Sequence, residues 1–284
     1  MWRFAKEKDL AALTRFLRRY EHACVSFTAQ LQRDGALTLP PRLRERVVIY
    51  EGAQGDIEGA ILHASTGFVY PVFSADTREF PEPGARLLMP LRHPPLLFGA
   101  VMGARRDVEL FEGVISARAR DDMIYHLMWR PAECPPLPAH PALQRVRAAD
   151  AGDFAALLPL QAAYEEEEVL LPGRRLNMRV VEHNLRQSLK KQIVLIGENE
   201  DGPVTKVATN ARGLGFDQVG GVYTLPEYRN RGLAGHLMRH LICRVGRAGR
   251  STTLFVKKHN TPAVAMYRHL QYREAGDFRI IYYR

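Results

Sequence analysis

Cysteine is scarce in this 284-residue chain: Cys24, Cys134 and Cys243 are scattered and odd in number. Without a Cys-x-x-Cys pair or clustered histidines, neither a zinc site nor a disulfide is expected, and Cys243, among apolar neighbours, reads as a packing residue. Long apolar runs are also missing. No stretch approaches the roughly 20 residues of a membrane-spanning helix, and the start, "MWRFAKEKDLAALTRFLRR", lacks the apolar core and cleavage site of a secretory leader. These absences predict a soluble, cytoplasmic protein without a membrane partner. Neither Gly-x-x-x-x-Gly-Lys-Ser/Thr nor Gly-x-Gly-x-x-Gly occurs, so the two commonest nucleotide loops are excluded. Compositional extremes are absent as well: 46% hydrophobic and 25% charged residues are ordinary values, sufficient for a full core and for two domains.

What the chain does have is an uneven charge. The net charge is +9; residues 1–135 carry 18 basic and 17 acidic groups, residues 136–223 carry 10 and 11, and residues 224–284 carry 12 and 3. The excess lies in the last fifth, which invites a polyanionic ligand there; solubility alone or a nucleic-acid patch would leave the same count.

A run with five prolines, "RPAECPPLPAHPAL" (130–143), cannot sit inside a helix or a central strand and marks a boundary between residues 1–135 and 143–284. Before it, Leu10, Leu13, Phe16, Leu17 and Tyr20 recur at helical spacing and predict a helix over 7–33. Short apolar runs "RVVIYEG", "IEGAILHAS" and "GFVYPVF" predict an antiparallel meander, followed by a strand "LLFGAVMG", a helix "RDVELFEGVIS" and a strand "MIYHLMW". After the run come a strand "LQRVRA", a helix capped by Asp150 through "EEEE", and a helix with Val181, Leu185 and Leu189 on one stripe. Strands "QIVLIGE", "PVTKVATN" and "QVGGVYT" follow. A one-sided helix with Leu233, Leu237, Leu241 and Val245 ends at Gly249; then come a strand "TTLFVK", a helix opened by Thr261-Pro262 and a closing strand "FRIIYY". The fold class is α+β, a mixed sheet flanked by helices in two lobes.

The stretch "YTLPEYRNRGLAGHL" carries the functional signal. A strand ends at Thr224 and a helix starts near Gly232. The first amides of that helix lack intrahelical partners and its dipole favours negative charge. Gly232 and Ala234 keep bulk away, and Arg229 and Arg231 bring charge to the rim, so a diphosphate could approach the backbone from Arg229 to Ala234.

Arg229-x-x-Gly232-x-Ala234 resembles the Arg/Gln-x-x-Gly-x-Gly/Ala loop of the GNAT superfamily of acyl-CoA-dependent N-acyltransferases. Further on, Asn260, Ala263 and Tyr267 fit a second element of that family, Asn-x-x-Ala-x-x-x-Tyr. The resemblance covers 143–284. It implies the GNAT fold, acetyl-CoA as co-substrate and no metal, with CoA held by Val222, Tyr223, Thr224, Arg229, Asn230, Arg231, Gly232, Leu233, Ala234, Asn260 and Ala263. By the same resemblance the strand ending at Thr224 pairs with the pantetheine arm and a backbone N–H from it, that of Val222 above all, polarises the thioester carbonyl. Tyr267 would be the general acid that protonates the departing thiolate. Family members often continue with Gly-Phe after the tyrosine helix; Gln271-Tyr272 stands here instead.

The residues themselves point the same way where Gly220-Gly221 interrupt a strand, a pattern that marks a bulge. Glu165 to Glu168 offer a base or an attraction for a cationic acceptor, against the plain reading of a solvated charge run. Glu227 and His236 lie nearer the loop, and no base is assigned. Residues 1–135 read as a second, degenerate copy of the same fold without the loop, with an unrelated α+β domain as the alternative. The expected function is transfer of an acetyl group from acetyl-CoA to a primary amine of a small molecule or peptide. The alternatives are a catalytically silent acyl-CoA-binding regulatory protein and a nucleic-acid binder. The last has no stacking surface or reader motif in its favour.

Overall fold

The computed structural model describes residues 1–283 except 34–35, 41–45, 81–98, 114–117 and 172. In chain order the elements are β1 (Trp2–Phe4), α1 (Leu10–Arg18), α2 (Glu21–Gln30), β2 (Gln32–Arg33), β3 (Ala36–Leu37), β4 (Arg46–Glu51), β5 (Ile57–His63), β6 (Phe68–Phe73), β7 (Ala100–Ala104), α3 (Arg105–Glu112) and β8 (Ala119–Arg130). Next come β9 (Arg145–Ala148), α4 (Phe154–Tyr164), α5 (Met178–Lys191), β10 (Val194–Asn199), β11 (Gly202–Arg212), β12 (Phe216–Thr224), α6 (Leu233–Arg247), β13 (Ser251–Lys257), α7 (Thr261–His269) and β14 (Arg273–Tyr283). The helix expected over 7–33 is two helices: Tyr20 leaves helical geometry (φ −120°, ψ 9°), and its hydroxyl accepts the Ala75 N–H at 3.1 Å. Of the expected strand "LLFGAVMG", Leu96 to Phe98 lie outside the described residues, as do the last residues of "RDVELFEGVIS".

The chain forms two compact units that do not follow its linear order. One comprises Met1–Met128 with Phe255–Thr261 and Glu274–Arg284; the other comprises Trp129–Leu254 with Pro262–Arg273. The closing strand β14 therefore pairs within the first unit, antiparallel to β7 from Phe278 opposite Ala104 to Tyr282 opposite Ala100.

In the first unit the strand order is β1-β4-β5-β6-β7-β14-β8. Pairing is antiparallel from β1 to β6 and parallel from β6 to β7. Alternation divides the strands between two cores. Val47, Ile49, Leu62 and Val72 pack with Leu13, Phe16, Leu17 and Phe27 of α1 and α2. Val48, Ile61, Val69 and Phe73 pack with Val108 and Phe111 of α3.

The second unit repeats that pattern, with the order β9-β10-β11-β12-β13, antiparallel as far as β12 and parallel from β12 to β13. Leu157 of α4 and Leu185 of α5 pack on Val194, Ile196 and Ala208. On α6, Leu233, Leu237, Leu241 and Val245 are buried, and a side chain at Gly197 of β10 would meet Leu237 at 2.9 Å, so α6 lies directly on the sheet.

The Pro-rich run is a strap on α6. The Glu133 backbone comes within 2.7 Å of where a Cβ at Gly246 would stand, so only glycine fits there. Cys134 and Cys243 are joined by a disulfide, and His140 Nε2 lies 2.8 Å from the Arg231 carbonyl. This corrects the expectation of unpaired cysteines. The partners are 109 residues apart, and what brings them together is the strap's packing on the helix, which spacing does not reveal.

Candidate functional site

The site of the second unit grows from an irregular strand. Lys206 pairs with Tyr223 and Ala208 with Gly220, so Val207 alone faces both Gly221 and Val222. This is the bulge expected from the glycine pair. Gly221 has φ +61°, which glycine adopts without the penalty of a Cβ. Its N–H donates to the Tyr164 hydroxyl at 3.1 Å. A second register shift leaves Asn210 of β11 unpaired between Thr209 and Ala211, and the Asn210 amide occupies the space over Gly220 where any side chain would collide, at 1.9 Å. Strand β12 pairs with β13 only from Phe216 to Gln218, opposite Ser251 to Thr253, and runs on to Thr224 beyond that ladder.

After Thr224 a 3-10 turn at Pro226–Tyr228 leads to Arg229, Asn230 and Gly232. Asn230 (φ 59°) and Gly232 (φ 76°) are left-handed, a conformation asparagine tolerates better than most side chains. Gly232 is the N-cap of α6, and no side chain caps that end. The first intrahelical bond is from the His236 N–H to the Gly232 carbonyl, at 3.0 Å. The amides of Leu233, Ala234 and Gly235 precede it and have no such partner. The Leu233 side chain is buried in the core, so it can offer a ligand only its backbone.

The arginines are less free than charge alone implied. Arg229 donates both terminal nitrogens to Glu167 (3.0 and 2.7 Å) and its Nε to the Thr224 carbonyl (3.1 Å). Its guanidinium stands 5.3 Å from the centre of the Tyr223 ring, and Tyr223 donates its hydroxyl to Glu167 at 3.2 Å. Arg231 donates to the Glu227 carbonyl at 3.0 Å and lies over Tyr228. Elsewhere in the basic stretch, Arg250 pairs with Asp217, Lys258 with Asp277, and Arg279 with Glu112 and Asp122. Arg229, Arg250, Lys258 and Arg279 are thus engaged by carboxylates of the protein itself. His236 is held neutral: burial first, then His240, His140 and Arg239, push it down to about 4.

Tyr267 is buried on α7, which meets α6 where Gly235 lies against Met266. Burial, reinforced by Tyr272, Tyr164 and Glu168, drives its phenol far above the usual value. It therefore keeps its proton at any physiological pH. The corner after α7 works without glycine. Gln271 itself takes the left-handed conformation (φ 64°), its side chain accepts from Arg130 at 3.0 Å, and Arg130 also holds the Leu270 carbonyl at 2.6 Å. Tyr272 donates to Thr252 at 2.8 Å and packs edge-on against Tyr267. Ala263 is half-buried on the same helix. Asn260 belongs, with 255–261, to the first compact unit, where its N–H closes a turn onto the Lys257 carbonyl at 3.0 Å.

The four glutamates are not a uniform solvated run. After Tyr164 the helix widens into a π-turn, Glu165–Val169, of the kind that collects at functional sites. It turns Glu165 inward, where Gln161 (2.8 Å) and Asn184 (3.2 Å) donate to it, and aims Glu167 at Arg229. Lys206, mid-strand and 2% exposed, donates to Gln161 at 2.9 Å and to the Gly221 carbonyl at 3.1 Å. Sequence reasoning missed Lys206, Gln161 and Tyr164. The available signal was a lysine inside "PVTKVATN", a strand otherwise built of small and apolar residues.

Residues 202–280 match the FR47-like protein family. No curated protein matches the sequence. Three solved structures share the fold along nearly the whole chain. A Drosophila protein has a TM-score of 0.68 at 13% identity, over 99% of this chain and 98% of that one. A GCN5-related N-acetyltransferase from Sphaerobacter thermophilus has 0.56 at 16%, over 99% and 94%. A tandem GNAT protein from the clavulanic acid biosynthesis pathway has 0.54 at 13%, over 99% and 97%. At such identities the likeness is one of fold: the chain has the fold of these GNAT acetyltransferases, and within it residues 202–280, which hold the bulge and the loop of the second unit, match the FR47-like family.

Proposed function

We propose that the chain transfers an acetyl group from acetyl-CoA to a primary amine of a small molecule or peptide, by direct attack on the thioester. One observation carries this reading: a strand bulged at Gly221-Val222 runs into an uncapped helix N-terminus whose approach is made by two left-handed residues, Asn230 and Gly232. An extended thioester with a diphosphate at one end fits such a site. The amides of Leu233 and Ala234 and the backbone from Arg229 to Gly232 would hold the diphosphate. Val222 to Thr224 would face the pantetheine arm, with Asn260 assigned to the same arm, and Ala263 to CoA, by family resemblance.

Acetyl-CoA supplies the activated carbonyl. The amine nitrogen bonds to the carbonyl carbon, the C–S bond breaks, and the nitrogen gives up one proton to water. The thiolate takes a proton from the Tyr267 phenol, which is later restored, so an amide and a free thiol result. A donor N–H at Val222 would meet the charge that develops on the carbonyl oxygen. The silent and nucleic-acid-binding alternatives are not favoured. A buried tyrosine stands in the same unit as the cradle, and Arg229, Arg250, Lys258 and Arg279 of the basic stretch are already ion-paired.

Calorimetric titration with acetyl-CoA and CoA tests the reading, using the wild type and Gly232→Glu. A side chain at this left-handed position adds bulk and negative charge at the cradle. Binding by the wild type and a loss of at least about 100-fold in the variant is expected, equivalent to about 2.7 kcal/mol. A wild type that binds neither ligand would sink the proposal.

A further inference from the structure

Lys206 is the polar group in the second unit whose burial most needs a reason. Removing an ammonium from water costs several kcal/mol, and a methionine would fill the same volume of a central strand without that cost. No carboxylate among the described residues touches it. Its nearest partners are the Gln161 amide oxygen at 2.9 Å, the Gly221 carbonyl at 3.1 Å and the Tyr164 ring, 4.6 Å from Nζ to the centroid. The counter-charge, Glu165, is one side chain further away, bonded to Gln161 and Asn184.

The Gly221 carbonyl belongs to the same peptide group as the Val222 N–H. At the bulge, both polar ends of Gly221 are held by side chains: its N–H by Tyr164 and its C=O by Lys206. A donor bonded to a peptide oxygen draws electron density toward that oxygen and makes the peptide's own N–H a stronger donor, and a charged donor does so most. We propose that Lys206 is a positioning residue for acyl transfer: by donating to the Gly221 carbonyl it fixes the Gly221–Val222 peptide and strengthens the Val222 N–H as a donor to the oxyanion of the thioester. This inference rests on the acetyl-transfer reading above.

The titratable side chains facing Lys206 are Glu165 from the π-turn, Tyr164 from α4 and Tyr223, its cross-strand partner on β12. Burial pushes the ammonium down to about 7, with only Glu165 pulling it back up. The charge on Lys206 therefore changes near neutrality. Above that point a neutral amine still donates to Gly221, but polarises it less.

Two measurements on the intact chain test the proposal. In Lys206→Met, and less severely in the uncharged donor Lys206→Gln, kcat should fall by about 10- to 100-fold, a fraction of the 10²–10³-fold lost with an entire oxyanion donor. The KM for acetyl-CoA should stay within about threefold, and the neutral-pH inflection in kcat should disappear. In ¹⁵N-labelled protein without substrates, the Val222 amide resonance should move with pH through neutrality in the wild type and stay still in Lys206→Gln. A stationary wild-type Val222 resonance, or Lys206 variants with wild-type kcat, would overturn the inference. A Val222 resonance that titrates in a protein that transfers no acetyl group would leave the coupling standing and remove the acetyl-transfer reading instead.

Discussion

The two units share a strand order and differ in the register of one strand and in the helix that follows the parallel pairing. In each, three antiparallel pairings are followed by one parallel pairing, β6 to β7 in the first and β12 to β13 in the second. Strand β6 keeps an unbroken register with β5, from Gly59 opposite Phe73 to His63 opposite Val69, whereas β12 is bulged at Gly221-Val222. After the parallel partner, α3 begins directly at Arg105, while three residues separate β13 from α7. The seventh residue of α3 is Phe111 and the seventh of α7 is Tyr267. Phe111 packs in an apolar core with Val108 and Phe73 and has no proton to give. One order of strands thus carries an unbroken register and a phenylalanine in the first unit, and a bulge and a tyrosine in the second.

The largest effects should fall on those two aromatic positions, and in different currencies. Phe111→Ala removes a fully buried ring and should cost about 3–5 kcal/mol of stability, read as a lower denaturation midpoint. Tyr267→Phe keeps the ring and should change stability by less than about 1.5 kcal/mol, yet lower kcat by about 10²- to 10⁴-fold, with KM for acetyl-CoA nearly unchanged. If Tyr267→Phe retained wild-type kcat, the contrast between core and site would collapse, and Tyr267 would be a second Phe111 with an idle hydroxyl.

How much of this contrast was legible in the sequence depended on whether a signal was local. Gly220-Gly221 announced the bulge because glycine inside a strand has few other uses. Gly232 and the uncapped turn could be read because helix ends have a residue grammar. The alternating residues of "FRIIYY" announced a strand but not its sheet, since alternation reports faces and not partners; the structure pairs β14 with β7 in the first unit. Lys206 was invisible for a related reason. A lysine in a strand normally marks an exposed edge, and only α4, which lays Gln161 and Tyr164 over that face of β11, makes it buried. The Cys134–Cys243 bond needed the strap to lie along α6, a fact spread over some hundred residues.

Smaller but opposite effects should come from pH. In the first unit, burial drives the Asp107 carboxyl up to about 7. The folded state then binds a proton that the unfolded chain has already released, so this group's stabilisation is complete below about pH 4 and is lost as pH rises to about 7. In the second unit, Lys206 titrates near 7 when folded and near 10.4 when unfolded. The unfolded chain binds the extra proton between those values, so stability rises from about pH 7 to 10. Each slope is limited to about 1.4 kcal/mol per pH unit. Asp107→Asn should flatten the first and Lys206→Met the second; parallel slopes from both variants would show that the two groups do not govern the two windows.

The smallest expected effect separates loop-building from ligand-binding at Arg229. Its guanidinium is engaged by Glu167, which is itself 46% exposed on its side chain, and an exposed pair of this kind contributes at most about 1 kcal/mol to stability. Glu167→Gln should therefore leave the melting midpoint nearly unchanged. The Nε bond to the Thr224 carbonyl would still anchor the side chain, so the freed terminal nitrogens would remain beside the cradle without a competing carboxylate. A diphosphate carries the charge that Glu167 now supplies, and CoA affinity should rise about two- to fivefold at low salt. The gain should fade toward 1 M salt as screening shortens to about 3 Å. Affinity that drops in Glu167→Gln would mean that the ion pair holds Arg229 in its binding position, and that Glu167 is part of the cradle's framework instead of its competitor.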